Sequence, residues 1–405
     1  MQRVVVTGLG TVNPIGLSND ETWKRVLQGK KNFSYYEPIG VVLSRVNDAF
    51  NASLSKKDIR YQDRVTQLAV VSTKEAIEDS KLDDSDLNQA ILCVGTSIGG
   101  VNTTVYEVDN AAKTTVKSMG IRTVIKMLPN MIAANLSIKF DIEGSAFTYC
   151  EACASSSVSL GEAFEKIKNN KTDIAVVVGA EACLNDNAVE SFRKLGVLSG
   201  NQDVDNASIP FMKERSGFVM SEGASTLILE SLDHALERGA VIYGEIKGYG
   251  NTSDAYSLVA PDSDGMEGAM REALDEANLS PNDIFYINAH GTATKANDSS
   301  EAKAISNIFG AENTKVSSTK ALFGHMLGGA GAIEALLCMN MLKNKVLIQQ
   351  YGMLGNTIDT DANFNKMLLR SNLSYSDQTE EKYFLSNSFA FGGVNSTLIF
   401  SEFKA

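Results

Sequence analysis

The chain has 405 residues, 43% of them hydrophobic, and a net charge of −12; with a pI near 4.9 it lacks the basic footprint that a general nucleic-acid surface needs. No run of eighteen apolar residues occurs, so no membrane-spanning helix is expected. The first residues follow a strand pattern rather than that of a cleaved leader, which predicts a cytoplasmic protein.

Val4-Val-Val6 opens the chain as a buried strand. Gly8-Leu-Gly-Thr-Val-Asn13 has the outline of a dinucleotide fingerprint, but Asn13 stands at the third glycine position and no ribose-binding acid follows at the expected distance. The segment therefore reads as strand, tight turn and helix, with no cofactor. After Asp63 the spacing of Val65, Leu68, Ala69, Ser72 and Ala76 predicts a helix with one small-to-apolar stripe.

Ile91-Leu-Cys-Val94 and Ile174-Ala-Val-Val-Val178 read as buried strands, as does Ser145-Ala-Phe-Thr-Tyr149, which makes Cys150 a packing residue. Cys150 and Cys153 form a Cys-x-x-Cys, but neither a second pair nor a nearby histidine supports a metal site. The five cysteines read as reduced thiols. Cys153 opens the small-residue run Ala152-Cys-Ala-Ser-Ser-Ser-Val158 ahead of an amphipathic helix, a position where backbone N–H groups and the helix dipole would lower its pKa.

Ile284-Phe-Tyr-Ile287 is a further strand, followed by the His290 loop Asn288-Ala-His-Gly-Thr-Ala-Thr294; Val316-Ser-Ser-Thr319 leads into the His325 loop Lys320-Ala-Leu-Phe-Gly-His-Met-Leu-Gly-Gly329. The strands Ala224–Glu230 and Asn395–Ser401 echo each other 171 positions apart. Small-residue turns before Ala-rich helices recur after Cys153 and after Gly328. The pattern predicts mixed α/β layers in two similar halves meeting near residue 240, with no low-complexity linker between them.

One thiol and two of only three histidines, each in a small-residue loop, suit acyl transfer if the fold unites them. Taken singly, each has a plainer reading: a buried cysteine as a small hydrophobe, a loop histidine as a hydrogen-bonded structural residue. The third, His234, lies on a charged helix.

Together with Val4–Gly16, Gly217-Phe-Val-Met-Ser-Glu-Gly223 and Asn387-Ser-Phe-Ala-Phe-Gly-Gly-Val-Asn395, these loops make the chain resemble, end to end, the β-ketoacyl-acyl-carrier-protein synthases of the Cys-His-His type. The resemblance implies a thiolase-like fold of two duplicated halves in five α/β/α/β/α layers. The Cys-bearing half would span 1–240 and the half with both histidines and the gating loop 241–405. It also implies decarboxylative Claisen condensation of an acyl group on Cys153 with a malonyl unit on the phosphopantetheine of an acyl carrier protein, and no other cofactor or metal.

In that scheme neutral His290 and His325 bind the enolate, and Lys320 pairs with Glu334. The Cys153 and Phe391 N–H groups form an oxyanion hole that Gly392 and Gly393 make accessible, Phe391 is a gate, and Thr292 and Thr294 hold the pantetheine arm. Carrier docking would fall to Lys56, Lys57, Arg60 and Arg64, or to Arg122 and Lys126, unless these form an ordinary solvated face. A dimer is implied, of like chains or with a chain-length-factor paralogue.

Departures from the family pattern are Asn288 for Glu, Ala293 for Gly, Met212 for Asp, Ala390 for a gating Gly, and Thr103-Thr104 where apolar side chains often line the acyl pocket. They lean toward a polyketide or polyene pathway over housekeeping fatty acid elongation. The rivals are a non-catalytic chain-length factor, opposed by Cys153, and a thiolase, which would need a second cysteine where Ser388–Gly393 has none.

Overall fold

A computed structural model describes residues 1–376 and 381–404. Ten strands carry the architecture: β1 (Val4–Val12), β2 (Ile91–Gly95), β3 (Ala146–Tyr149), β4 (Ile174–Glu181) and β5 (Gly223–Ser231), then β6 (Gly244–Ser253), β7 (Ile284–Asn288), β8 (Lys315–Ser317), β9 (Tyr383–Phe389) and β10 (Val394–Ser401). Their spatial order is β8-β7-β9-β10-β6-β1-β5-β4-β2-β3. Counting outward from the middle, each strand of the second half carries the number of its first-half counterpart plus five. Directions repeat as well, antiparallel for β1/β5/β4 and β6/β10/β9, parallel for β4/β2/β3 and β9/β7/β8. The halves meet where Val4–Val6 pair with 244–246.

Five helices complete the layers: α1 (Arg64–Ser80), α2 (Ser155–Lys168), α3 (Ser263–Ala277), α4 (Lys295–Ile308) and α5 (Ala330–Asn344). α1 covers β1, β5 and β4 from outside, and α3 covers β6 and β10. α2 and α5 touch strands of both halves and form the middle layer. Sequence explains the placement of α5, since every residue from Ala330 to Leu342 is buried, and a helix without a polar face belongs in an interior layer. The expected stripe of α1 is buried throughout, and Asp63 caps the helix by accepting from the Val65 N–H.

The glycines of the opening motif serve this packing. A Cβ on Gly10 would lie 2.1 Å from the Ser72 carbonyl of α1, and one on Gly250 would lie 2.1 Å from the Ala269 carbonyl of α3. Each half thus uses a glycine to admit its outer helix.

One expectation is corrected. β3 forms as predicted but is the outer edge of the sheet, with Ala146 and Phe147 exposed and Thr148 and Tyr149 half-buried, and Cys150 after it is exposed. All five cysteines are free thiols. Among the described residues no helix is long and apolar enough to cross a membrane.

Candidate active site

The duplicated fold gives each half a strained turn ahead of its central helix. Ala152 and Leu327, both with φ 45°, stand three residues before α2 and α5. Cys153 follows Ala152 in a single 3₁₀ turn, and Gly328 takes the same place in the other half. A Cβ on Gly328 would fall 2.3 Å from the Ser97 nitrogen. Only the first turn has room for a nucleophile.

The His325 backbone is fixed by bonds to the Val219 carbonyl (2.8 Å) and from the Ser221 N–H (3.0 Å). Its Nε2 lies 3.1 Å from Cys153 Sγ, while Phe218 meets the ring edge-on at 5.1 Å. His290, just past β7, stands nearly perpendicular to His325 with ring centroids 5.3 Å apart. Lys320 Nζ donates to His290 Nδ1 at 3.3 Å and pairs with Glu334, all three side chains being buried. An ammonium has no lone pair to offer, so Nδ1 must accept and the ring proton of neutral His290 sits on Nε2. Nδ1 of His325 has no hydrogen-bond partner among the described residues.

Burial holds both imidazoles well below their usual pKa, as expected, with Lys320 adding to the effect. For Cys153 the expected lowering is corrected. Burial pushes the thiol up to about 12, opposed by Lys320 and by the Phe391 N–H directed at Sγ. Glu334 is pushed up by burial and pulled down by Lys320.

These groups open on a cavity of about 420 Å³ whose wall includes Cys153, His290, His325, Thr292, Thr294 and Phe391. Thr292 and Thr294 hydroxyls bond each other at 2.9 Å. Gly392 and Gly393 have φ of 87° and 77°, which explains glycine there. Their N–H groups are taken by the carbonyls of Leu258 (2.9 Å) and Ala390 (3.1 Å), leaving Phe391 as the donor of this loop aimed at the sulfur. Ala390 has no left-handed φ and packs beside Cys153, so its Cβ causes no strain here.

Thr104 is absent from the cavity wall, and neighbouring Thr103 is tied to Asp63 by its N–H (2.8 Å) and hydroxyl (2.6 Å). Arg64 is not a free docking cation: it pairs with buried Glu222 and with Asp48, each at 2.8 Å. Arg60 and Arg122 instead converge on the Tyr61 ring, at 5.2 and 3.9 Å, with Lys56 and Lys57 on the same short helix as Tyr61 and Lys126 on the helix after Arg122. His234 is away from the site, bonded to Glu230 at 2.5 Å and Asp86 at 3.3 Å.

The sequence reading missed the acids that shape the His290 loop. Glu301 accepts from the His290 and Gly291 N–H groups, both at 2.7 Å. Asp298 accepts from Phe211 (2.8 Å) and Ala293 (3.2 Å), two non-glycine residues at φ 66°. Buried Arg215 donates to the carbonyls of Thr294 (3.4 Å) and Lys295 (3.3 Å). The available signal was Asp298-x-x-Glu301 on one face of the helix after the loop.

Comparison with known proteins agrees with this geometry. Residues 1–235 match the beta-ketoacyl synthase N-terminal domain and residues 243–353 the C-terminal domain. The chain is 36% identical to a 3-oxoacyl-[acyl-carrier-protein] synthase 2 of Staphylococcus aureus, over 100% of this chain and 99% of the other. A beta-ketoacyl synthase structure from Burkholderia phymatum superposes with a TM-score of 0.91 at 31% identity, covering both chains fully. A type II polyketide acyl-carrier protein in complex with its ketosynthase matches at 0.86 and 28%, again over both full lengths. The chain thus belongs to the β-ketoacyl synthases, acyltransferases with the thiolase-like fold.

Proposed function

We propose that Cys153 takes an acyl group from a carrier thioester and that the chain condenses it with a malonyl-acyl-carrier protein, releasing CO₂ and a β-ketoacyl-carrier thioester. The observation that carries the reading is the 3.1 Å approach of His325 Nε2 to Cys153 Sγ beside an edge-on His290, all on one cavity. In the first step the Cys153 S–H bond breaks as S–C forms, and the proton leaves with the carrier sulfur, His325 being within reach to relay it. In the second, the malonyl C–CO₂ bond breaks and its electron pair becomes an enolate, which His290 Nε2–H and His325 stabilise at the oxygen. The nucleophilic carbon then attacks the acyl carbonyl, the S–C bond to Cys153 breaks, and the departing thiolate becomes a thiol again by taking a proton from solvent water, with His325 Nε2 at 3.1 Å placed to pass it on. Phe391 and Cys153 N–H groups take the oxyanion, and Thr292 and Thr294 hold the pantetheine arm.

Lys320 keeps His290 in its donating tautomer, and Glu334 balances its charge. We assign carrier docking to the patch of Lys56, Lys57, Arg60, Arg122 and Lys126, because Arg60 and Arg122 already cluster on Tyr61 in an otherwise acidic chain. Division into halves at 1–240 and 241–405 is supported by β5 ending at Ser231 and β6 starting at Gly244. Free thiols throughout favour the cytoplasm. A dimer is supported by the unpaired edge of β3, which leaves Phe147 exposed, and by exposed Ile121, Val124 and Ile138.

The test mixes purified protein with acyl- and malonyl-carrier proteins and follows acyl-enzyme mass, CO₂ and the ketoacyl product. Turnover confirms the condensation and its product spectrum separates fatty acid from polyketide use. Absence of acyl-enzyme would leave the fold without this chemistry.

A further inference from the structure

The cavity wall holds one carboxyl and one amino side chain, Asp254 and Lys295. Asp254 is engaged within the protein: its carboxylate accepts from Asn395 Nδ2 at 2.6 Å and from the Asp262 N–H at 3.3 Å. Lys295 is the single cation of the wall, and its ammonium forms no ion pair among the described residues. Its side chain is exposed, so it stands at the solvent side, whereas Cys153, His290 and His325 are buried at the inner side.

The backbone beneath this cation is rigid. Buried Arg215 ties down the carbonyls of Thr294 and Lys295, and Asp298 holds Ala293. The Thr294 hydroxyl bonds Thr292 and does not cap α4, whose first turn already holds the buried acid Asp298, so the Lys295 ammonium is the local attraction that remains. In a chain of net charge −12, any anion entering this cavity meets general repulsion and one local attraction.

We propose that Lys295 binds the phosphate of the phosphopantetheine arm and so selects phosphorylated over unphosphorylated pantetheine thioesters. This rests on the carrier-arm reading above: a thioester delivered to Cys153 through the mouth places the phosphate end of its arm outward, where the one available cation lies. Lys295 would act on binding and not on the reacting carbons.

The experiment measures CO₂ release from malonyl-phosphopantetheine and malonyl-pantetheine with the native chain, Lys295→Ala and Lys295→Arg, and compares the ratio of the two KM values. In Lys295→Ala the ratio of the phosphorylated to the unphosphorylated thioester is expected to rise about fivefold, the size of one partly solvated charge contact. Lys295→Arg should restore most of it, and the difference should shrink at high salt. A ratio unchanged in Lys295→Ala overturns the assignment of Lys295 and leaves the carrier-arm reading standing. Failure of the native chain to decarboxylate either thioester overturns that reading itself, and the assignment with it.

Discussion

Cys153 Sγ and His325 Nε2 lie 3.1 Å apart although 172 positions separate them in the chain. The fold creates this contact by placing the turn before α2 and the loop before α5 side by side in the middle layer. Cys153→Ala is expected to keep the fold, since alanine suits a buried turn next to a helix, and to abolish acyl-enzyme; intact-protein mass spectrometry reads the outcome. His325→Ala and His290→Ala should retain some self-acylation but lose CO₂ release by roughly 10²-fold or more, the scale of one oxyanion donor. Normal CO₂ release in either variant would remove it from enolate stabilisation.

Lys320 and Glu334 form a buried pair whose members need each other. Lys320→Met frees the His290 tautomer and strands a carboxylate in the core. The expected results are a clear drop in CO₂ release and a loss of about 3 kcal/mol of stability, in the range for breaking a buried pair. Adding Glu334→Gln should recover much of the stability without recovering decarboxylation. Denaturant midpoints and CO₂ assays check the two effects separately, and joint recovery of both would argue against the tautomer role.

The parts of this site that the sequence disclosed are those with rare residue types or special backbone needs. Cys153, His290 and His325 stand out because thiols and imidazoles are few here, and Gly392-Gly393 because φ is positive at both. The two-half fold was legible from the repeated turn-and-helix pattern, and the structure extends it to all ten strands. Glu301, Asp298 and Arg215 were not, because common charged residues, two on a surface-like helix and Arg215 in an irregular segment, disclose burial only after tertiary packing. The same blindness misjudged Arg64, which looks like a surface cation and is locked to Glu222. It also placed β3 in the interior, since an apolar strand at a sheet edge has the composition of a buried one. The thiol pKa was misread because a helix start is local, whereas the desolvation that outweighs it depends on the whole pocket.

Both imidazoles are held well below their ordinary pKa by burial, so they remain neutral donors as pH falls through 6.5. For a histidine with depressed pKa, protonation begins only below the normal value. The acid limb of malonyl decarboxylation is therefore expected below pH 6.5. A pH profile of kcat/KM for CO₂ release measures it, and an acid limb centred above 6.5 attributable to these histidines would contradict the neutral-donor role.

The exposed edge of β3 offers a last test. Its edge backbone, unpaired among the described residues, and the exposed Phe147 ring form a template for another strand, and exposed Ile138, on the helix Met131–Phe140 that packs against β3, adds apolar area. Phe147→Lys puts a charge at the middle of that surface without disturbing a buried contact of the core. The expected outcome is a shift from dimer toward monomer in light scattering at micromolar concentration, with the helical circular dichroism retained. A chain that is monomeric before substitution, yet dimerises when a chain-length-factor paralogue is added, would identify the edge as a surface for an unlike partner. An unchanged dimer in the variant would place the interface elsewhere.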